Sequence, residues 1–77
     1  MTPRRVQVGR DVQLLEQSDE GIDLEGSTRL RPGQLVDLVL PDATGHPSIG
    51  RRAEVLTWFV VRLGSGGPTF AGHCTWQ

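Results

Sequence analysis

Lysine and tyrosine are absent from this 77-residue sequence, cysteine occurs once, and the aromatic residues are two tryptophans and two phenylalanines. A single cysteine excludes an internal disulfide and any multi-cysteine zinc site. So few aromatics leave little for the base stacking on which single-stranded nucleic-acid binding depends. An excess of positive charge is missing too. Eight arginines are set against nine carboxylates, for a formal charge of −1, without the basic stripe of a nucleic-acid binder. No apolar run approaches the ~20 residues that cross a bilayer. The start, Met1-Thr2-Pro3-Arg4-Arg5, has no apolar centre of the kind a signal peptide needs. These absences predict a soluble, cytoplasmic protein with no membrane and no nucleic-acid partner.

A chain of this length makes one domain with a limited core and a net stability on the order of 5 kcal/mol. Small domains without disulfides or metals often gain stability by oligomerising, so a homo-oligomer is an open expectation. All eight cations are arginine. Two readings of that stand: a coding bias toward arginine, and a need for planar two-pronged donors at some of the positions.

No segment repeats with the 3.6-residue period of a helix. Ten glycines and five prolines instead punctuate short apolar runs, the pattern of an all-β chain with frequent turns. Val6, Val8, Val12 and Leu14 alternate with polar residues, predicting one long or bent strand from Arg5 to Leu15, broken near Gly9. Ser18 to Gly21 is a turn and Ile22 to Leu24 a strand. Pro32-Gly33 predicts a turn with proline first and glycine at positive φ second. Leu35 to Leu40 follows, with Val36, Leu38 and Leu40 facing the core and Asp37 facing solvent. Pro41 to Gly50 is expected to be a loop. Ala53 to Leu63 is expected as a long strand, Gly64 to Pro68 as the next turn, and Thr69 to Trp76 as the last strand. In that strand Phe70, Gly72, Cys74 and Trp76 share one face.

The stretch with the most chemistry is Glu16-Gln17-Ser18-Asp19-Glu20-Gly21, of the form acid-x-Ser-x-x-Gly, which follows Arg4, Arg5 and Arg10. An arginine fork meets guanine O6 and N7 with two hydrogen bonds worth roughly 1–3 kcal/mol per pair, and guanidinium planes stack on purines. Ser18 can donate and accept, and Gly21 permits positive φ and close backbone approach. Ordinary structure explains the same residues equally: a solvated N-terminus and a turn closed by its own side chains. Glu16, Asp19 and Glu20 add negative charge that opposes a phosphate.

The order of these features resembles the PilZ domain, a bacterial six-stranded β-barrel family of which many members bind cyclic di-GMP. Its two ligand motifs are an arginine pair, R-x-x-x-R, in an N-terminal arm and a downstream D/N-x-S-x-x-G. Glu16 to Gly21 resembles the second motif. Ile22-Asp23-Leu24 and then Leu30 to Leu40 resemble the family's strand, glycine turn and strand. Gly67 to Trp76 is similar to its closing strand, and the likeness spans residues 4 to 76. Glu16 stands where the family has Asp or Asn. Arg4 and Arg5 are adjacent, and four residues rather than three separate Arg5 from Arg10.

The resemblance implies a small six-stranded antiparallel PilZ-like β-barrel with a truncated N-terminal arm. Residues 1–77 form one domain and 1–5 a flexible arm. It further implies a non-enzymatic signalling domain that binds cyclic di-GMP through Arg4, Arg5 and Arg10, with Glu16, Ser18 and Gly21 lining the turn. The signal would pass to a protein partner through changed contacts, with no cofactor. The alternative is a degenerate module that has lost the nucleotide and serves as a protein-interaction domain.

The other conspicuous residues have structural explanations. Arg51-Arg52 can reach a phosphate from the far side or solvate a sheet edge, and Arg62 is read in the same way. Gly64-Ser65-Gly66-Gly67 lacks the lysine and helix of a phosphate loop, so it is a hairpin turn. His46, His73 and Cys74 show no catalytic or metal spacing. His73 and Cys74 are adjacent in a strand and point to opposite faces, which puts Cys74 in the core. Trp58 and Trp76 are core candidates, or partner contacts if exposed.

Overall fold

The structure is a computed structural model and describes residues 2–41 and 47–77. These residues form seven strands and no helix: β1 (Arg4–Gln7), β2 (Val12–Gln17), β3 (Gly21–Gly26), β4 (Leu35–Pro41), β5 (Pro47–Val55), β6 (Phe59–Gly64) and β7 (Gly67–Trp76). Two-residue alternation makes the strands. In β4 Val36 and Leu38 are fully buried, while Asp37 between them lies on the outer face beside Arg52, 3.1 Å away.

The sheet order is β1-β4-β5-β7-β3-β2, with β6 lying against β7. β1 and β2 sit at opposite ends of this order although they are consecutive in the chain. A tight corner at Gly9–Asp11 joins them. The Gln7 N–H donates to Asp11 Oδ2 (2.9 Å), the Asp11 N–H to the Gln7 carbonyl (2.8 Å) and the Gly9 N–H to the Val12 carbonyl (2.7 Å). Gly9 has φ of 97°, a left-handed conformation that glycine adopts without steric cost. Val8 and Val12 bridge across the corner. With its two ends tied together in this way, the sheet curls into a half-barrel around Val6, Ile22, Leu24, Leu38, Val55 and Cys74. Burial of each such side chain contributes about 1.5–3 kcal/mol.

The all-β expectation holds, and its details change. The sheet is mixed rather than purely antiparallel, because β1 pairs with β4 in parallel register, Arg4 opposite Val36 and Val6 opposite Leu38. Parallel neighbours need a crossover, and here the β2–β3 hairpin and residues 27–34 supply it. The expected strand from Arg5 to Leu15 is two strands on opposite edges, because hydrogen bonds of the corner replace ladder bonds. Arg4 and Arg5, expected in a flexible arm, belong to β1.

The expected strand from Ala53 to Leu63 is interrupted at Leu56–Trp58. There the Leu56 and Thr57 N–H groups both point at the His73 carbonyl (2.8 and 3.3 Å), two residues opposite one. β4 and β5 reach into the segment expected as a loop, which leaves only its centre outside the described residues, His46 included. The Pro32-Gly33 turn forms as expected: Gly33 has φ of 88° and the Gln34 N–H donates to the Arg31 carbonyl at 3.0 Å. Among the described residues, no helix is long and apolar enough to cross a membrane.

Candidate ligand-binding site

Ser18 closes the β2–β3 hairpin. Its N–H donates to the Gly21 carbonyl (2.9 Å), and its Oγ accepts from the Glu20 and Gly21 N–H groups, both at 3.3 Å. Gly21 is not in the positive-φ region, contrary to one reason for expecting glycine there. Close approach is the actual reason: a Cβ at Gly21 would strike the Cys74 carbonyl and lie 2.9 Å from His73 Nε2. Glu16 lies opposite Asp23, just past an irregularity in the β2–β3 register, and is exposed.

The C-terminal end of β7 holds this turn in place. The Trp76 backbone N–H donates to the Glu20 carbonyl (3.1 Å) and its indole N–H to the Ser18 carbonyl (2.9 Å). The Arg51 guanidinium lies over the Trp76 ring, 4.0 Å from its centroid. The next residue, Gln77, donates its N–H to the Arg52 carbonyl at 3.0 Å. Gln77 and Arg52 line an open hollow of about 770 Å³ together with Arg5, Asp37, Val39 and Gly50. Arg5, Asp37 and Arg52 form one row across β1, β4 and β5. One carboxylate therefore faces two guanidinium groups, and only Arg52 is ion-paired with it.

The six expected ligand residues are thus divided. Glu16, Ser18 and Gly21 share one hairpin, whereas Arg5 lies on β1, on the hollow that Gln77 also lines. Arg4, adjacent to Arg5 in β1, points to the opposite face. Its Nη1 donates to the Arg29 carbonyl (2.9 Å), and it lines a separate hollow with Arg29, Arg31, Gln34 and Phe70. Arg10 sits exposed in the corner after β1 and lines neither of these two hollows. Arg29 and Arg31 belong to no motif, and only their neighbour Leu30, as an apolar anchor, signals from the sequence that they are held in place.

Charge is segregated. Six of the nine carboxylates fall between Asp11 and Glu25, a span without any arginine, and the cation that Trp76 connects to the Ser18 turn is Arg51 of β5. Within that acidic hairpin Asp23 Oδ1 lies 2.6 Å from His73 Nδ1, across β3 and β7. Cys74, on the other face, is fully buried. Burial first, and the negative charge of Asp23 second, push its thiol up to about 11. No group of three His, Cys, Asp or Glu side chains positioned for a metal occurs among the described residues. Compared with protein-family models, with curated proteins and with solved structures, the chain matches none.

Proposed function

We propose that this chain is a non-enzymatic PilZ-like signalling domain, a small barrel acting in the cytoplasm, that binds cyclic di-GMP at the C-terminal end of β7. The observation that carries the reading is the meeting there of two sets of groups. Trp76 holds the Ser18–Gly21 turn and carries the Arg51 guanidinium on its ring, while Arg5 and Arg52, on the other face of the sheet, line the hollow beside the next residue, Gln77. Arg51 lies over an indole, and a guanidinium plane can also stack on a purine. Arg5 has no ion-pair partner among the described residues, so its fork is free for guanine or phosphate. Arg4 and Arg10 lie outside this arrangement, and Arg51 and Arg52 take the places the sequence assigned to them.

A second reading, a module that contacts a protein partner without nucleotide, is favoured by β6. Every residue of that strand is exposed, with Phe59 at 55% and Leu63 at 80%, an apolar surface of the kind that partners cover.

Titration calorimetry with cyclic di-GMP separates the two. Saturable binding at micromolar concentration or tighter, about −8 kcal/mol or more, weakened by Arg5→Ala and Arg51→Ala, supports the receptor. A folded protein that gives no heat at high ligand concentration leaves the interaction module.

A further inference from the structure

Three arginines with no acidic partner among the described residues line the second hollow. Arg29 and Arg31 flank Leu30, whose buried side chain pins the segment to the core. The turn after them is fastened to β5: the Gly33 N–H donates to the Val55 carbonyl (2.6 Å) and the Val55 N–H to the Gln34 carbonyl (2.9 Å). The Gln34 side chain in turn accepts from the Arg31 N–H at 3.0 Å. Arg4 is tied by Nη1 to the Arg29 carbonyl. The Arg29 guanidinium lies 5.8 Å from the centroid of Phe70, which stacks on Trp58, and the Trp58 indole donates to the Thr28 carbonyl at 3.1 Å.

The ion pairs among the described residues are Asp37–Arg52, Glu25–Arg62 and Asp23–His73. None involves Arg4, Arg29 or Arg31. Three like charges therefore line one concavity with no ion-pair partner among the described residues, and an anion from outside would relieve their mutual repulsion. The hollow measures about 760 Å³, within the roughly 300–1,000 Å³ of small-molecule sites and larger than one phosphate needs.

We propose that this hollow is a binding site for a multiply charged phosphate anion, either free or carried by a nucleotide. Guanidinium forks match phosphate oxygens two at a time, and the backbone that carries Arg29 and Arg31 is fixed by Leu30 and the Gln34 turn. The site is separate from the Ser18 turn and does not rest on the cyclic di-GMP reading.

The test is an NMR titration of the ¹⁵N-labelled chain at fixed physiological salt, with inorganic pyrophosphate in one arm and guanosine diphosphate in the other. Saturable shifts are expected at the Arg29 and Arg31 Nε–H groups and at the Gln34 amide. The double variant Arg29→Ala/Arg31→Ala should lose about tenfold or more in affinity with its spectrum otherwise dispersed as before. Arg10→Ala, at an exposed arginine outside the hollow, should bind as the parent does. Tighter binding of the nucleotide, with shifts of the Phe70 and Trp58 rings, identifies the carried form; equal binding identifies the free anion. Shifts that never saturate, or that Arg10→Ala reduces as much as the double variant does, overturn the proposal.

Discussion

Trp76 and Ser18, 58 positions apart in sequence, are joined by a hydrogen bond of 2.9 Å from the indole N–H to the serine carbonyl. The same ring carries the Arg51 guanidinium on its face, so one side chain locks a hairpin and orients a cation. Trp76→Phe keeps a ring and removes the donor. It should lower stability by about 1–2 kcal/mol, read as a lower urea midpoint, with faster amide exchange at Glu20 and Gly21. An unchanged midpoint would show that the bond adds nothing net.

Arg5 and Ser18 should separate binding from stability. Arg5 is exposed and unpaired among the described residues, so Arg5→Ala is expected to shift stability by less than about 0.5 kcal/mol while weakening cyclic di-GMP. Ser18→Ala strips the turn of the oxygen that accepts from Glu20 and Gly21 and should cost roughly 1 kcal/mol of stability as well. Calorimetry and urea denaturation on the two variants check this; equal stability losses would contradict it.

Two glycines that look alike in sequence should behave oppositely. A Cβ at Gly72 would run into the Thr57 carbonyl, which the bulge between β5 and β6 brings against β7, and would lie 2.7 Å from Trp58 Cε3. Gly72→Ala is therefore expected to destabilise by about 2 kcal/mol or more. At Gly66, in the β6–β7 turn, a Cβ would meet nothing within 4 Å and φ is not positive, so Gly66→Ala should be neutral or stabilising by a few tenths of a kcal/mol. Thermal melts of both variants test the contrast.

Cys74 has an alkaline window to itself among side chains, since the chain has neither lysine nor tyrosine. Its thiol is raised from 9.0 to about 11 in the folded chain. Below pH 9 both states keep the proton and the contribution is fully present. Between pH 9 and 11 the unfolded thiol ionises first and stability falls, by about 2 kcal/mol across the window. Urea midpoints at the two ends of that window should differ for the parent and hardly at all for Cys74→Ala. The native thiol should also resist iodoacetamide at pH 8 until the chain unfolds.

The outer-face pair Arg52–Asp37, 3.1 Å apart, is substantially solvent-exposed on both sides. A double-mutant cycle with Arg52→Ala and Asp37→Ala should return a coupling of about 0.2–1 kcal/mol, shrinking as salt is added. A larger, salt-independent value would mean that the pair is screened far less than its exposure implies.

Much of the fold was legible because its signals are local. The Pro32-Gly33 turn, the burial of Val36 and Leu38 around an outward Asp37, and the opposed directions of His73 and Cys74 follow from proline's fixed φ, glycine's freedom and the two-residue period of a strand. The candidate site was legible only by halves. Ser18 and Gly21 announce a tight hairpin, yet nothing near them names Trp76, Arg51 or Gln77. Arg4 and Arg5 form one dipeptide in the sequence, and a strand sends them to different hollows.

Composition and alternation by themselves determined that the chain is all-β, with one small core, one inert thiol and a serine-closed turn, because each of these depends on neighbours within a few residues. Tertiary structure alone decided the parallel pairing of β1 with β4, the break between β5 and β6, and which arginines gather around which hollow. Those depend on where a corner at Gly9 and a bulge at Leu56–Thr57 send the chain, and on contacts between residues up to 58 positions apart. Such pairings are selected by the closing of the whole sheet, and no short stretch of sequence carries that information.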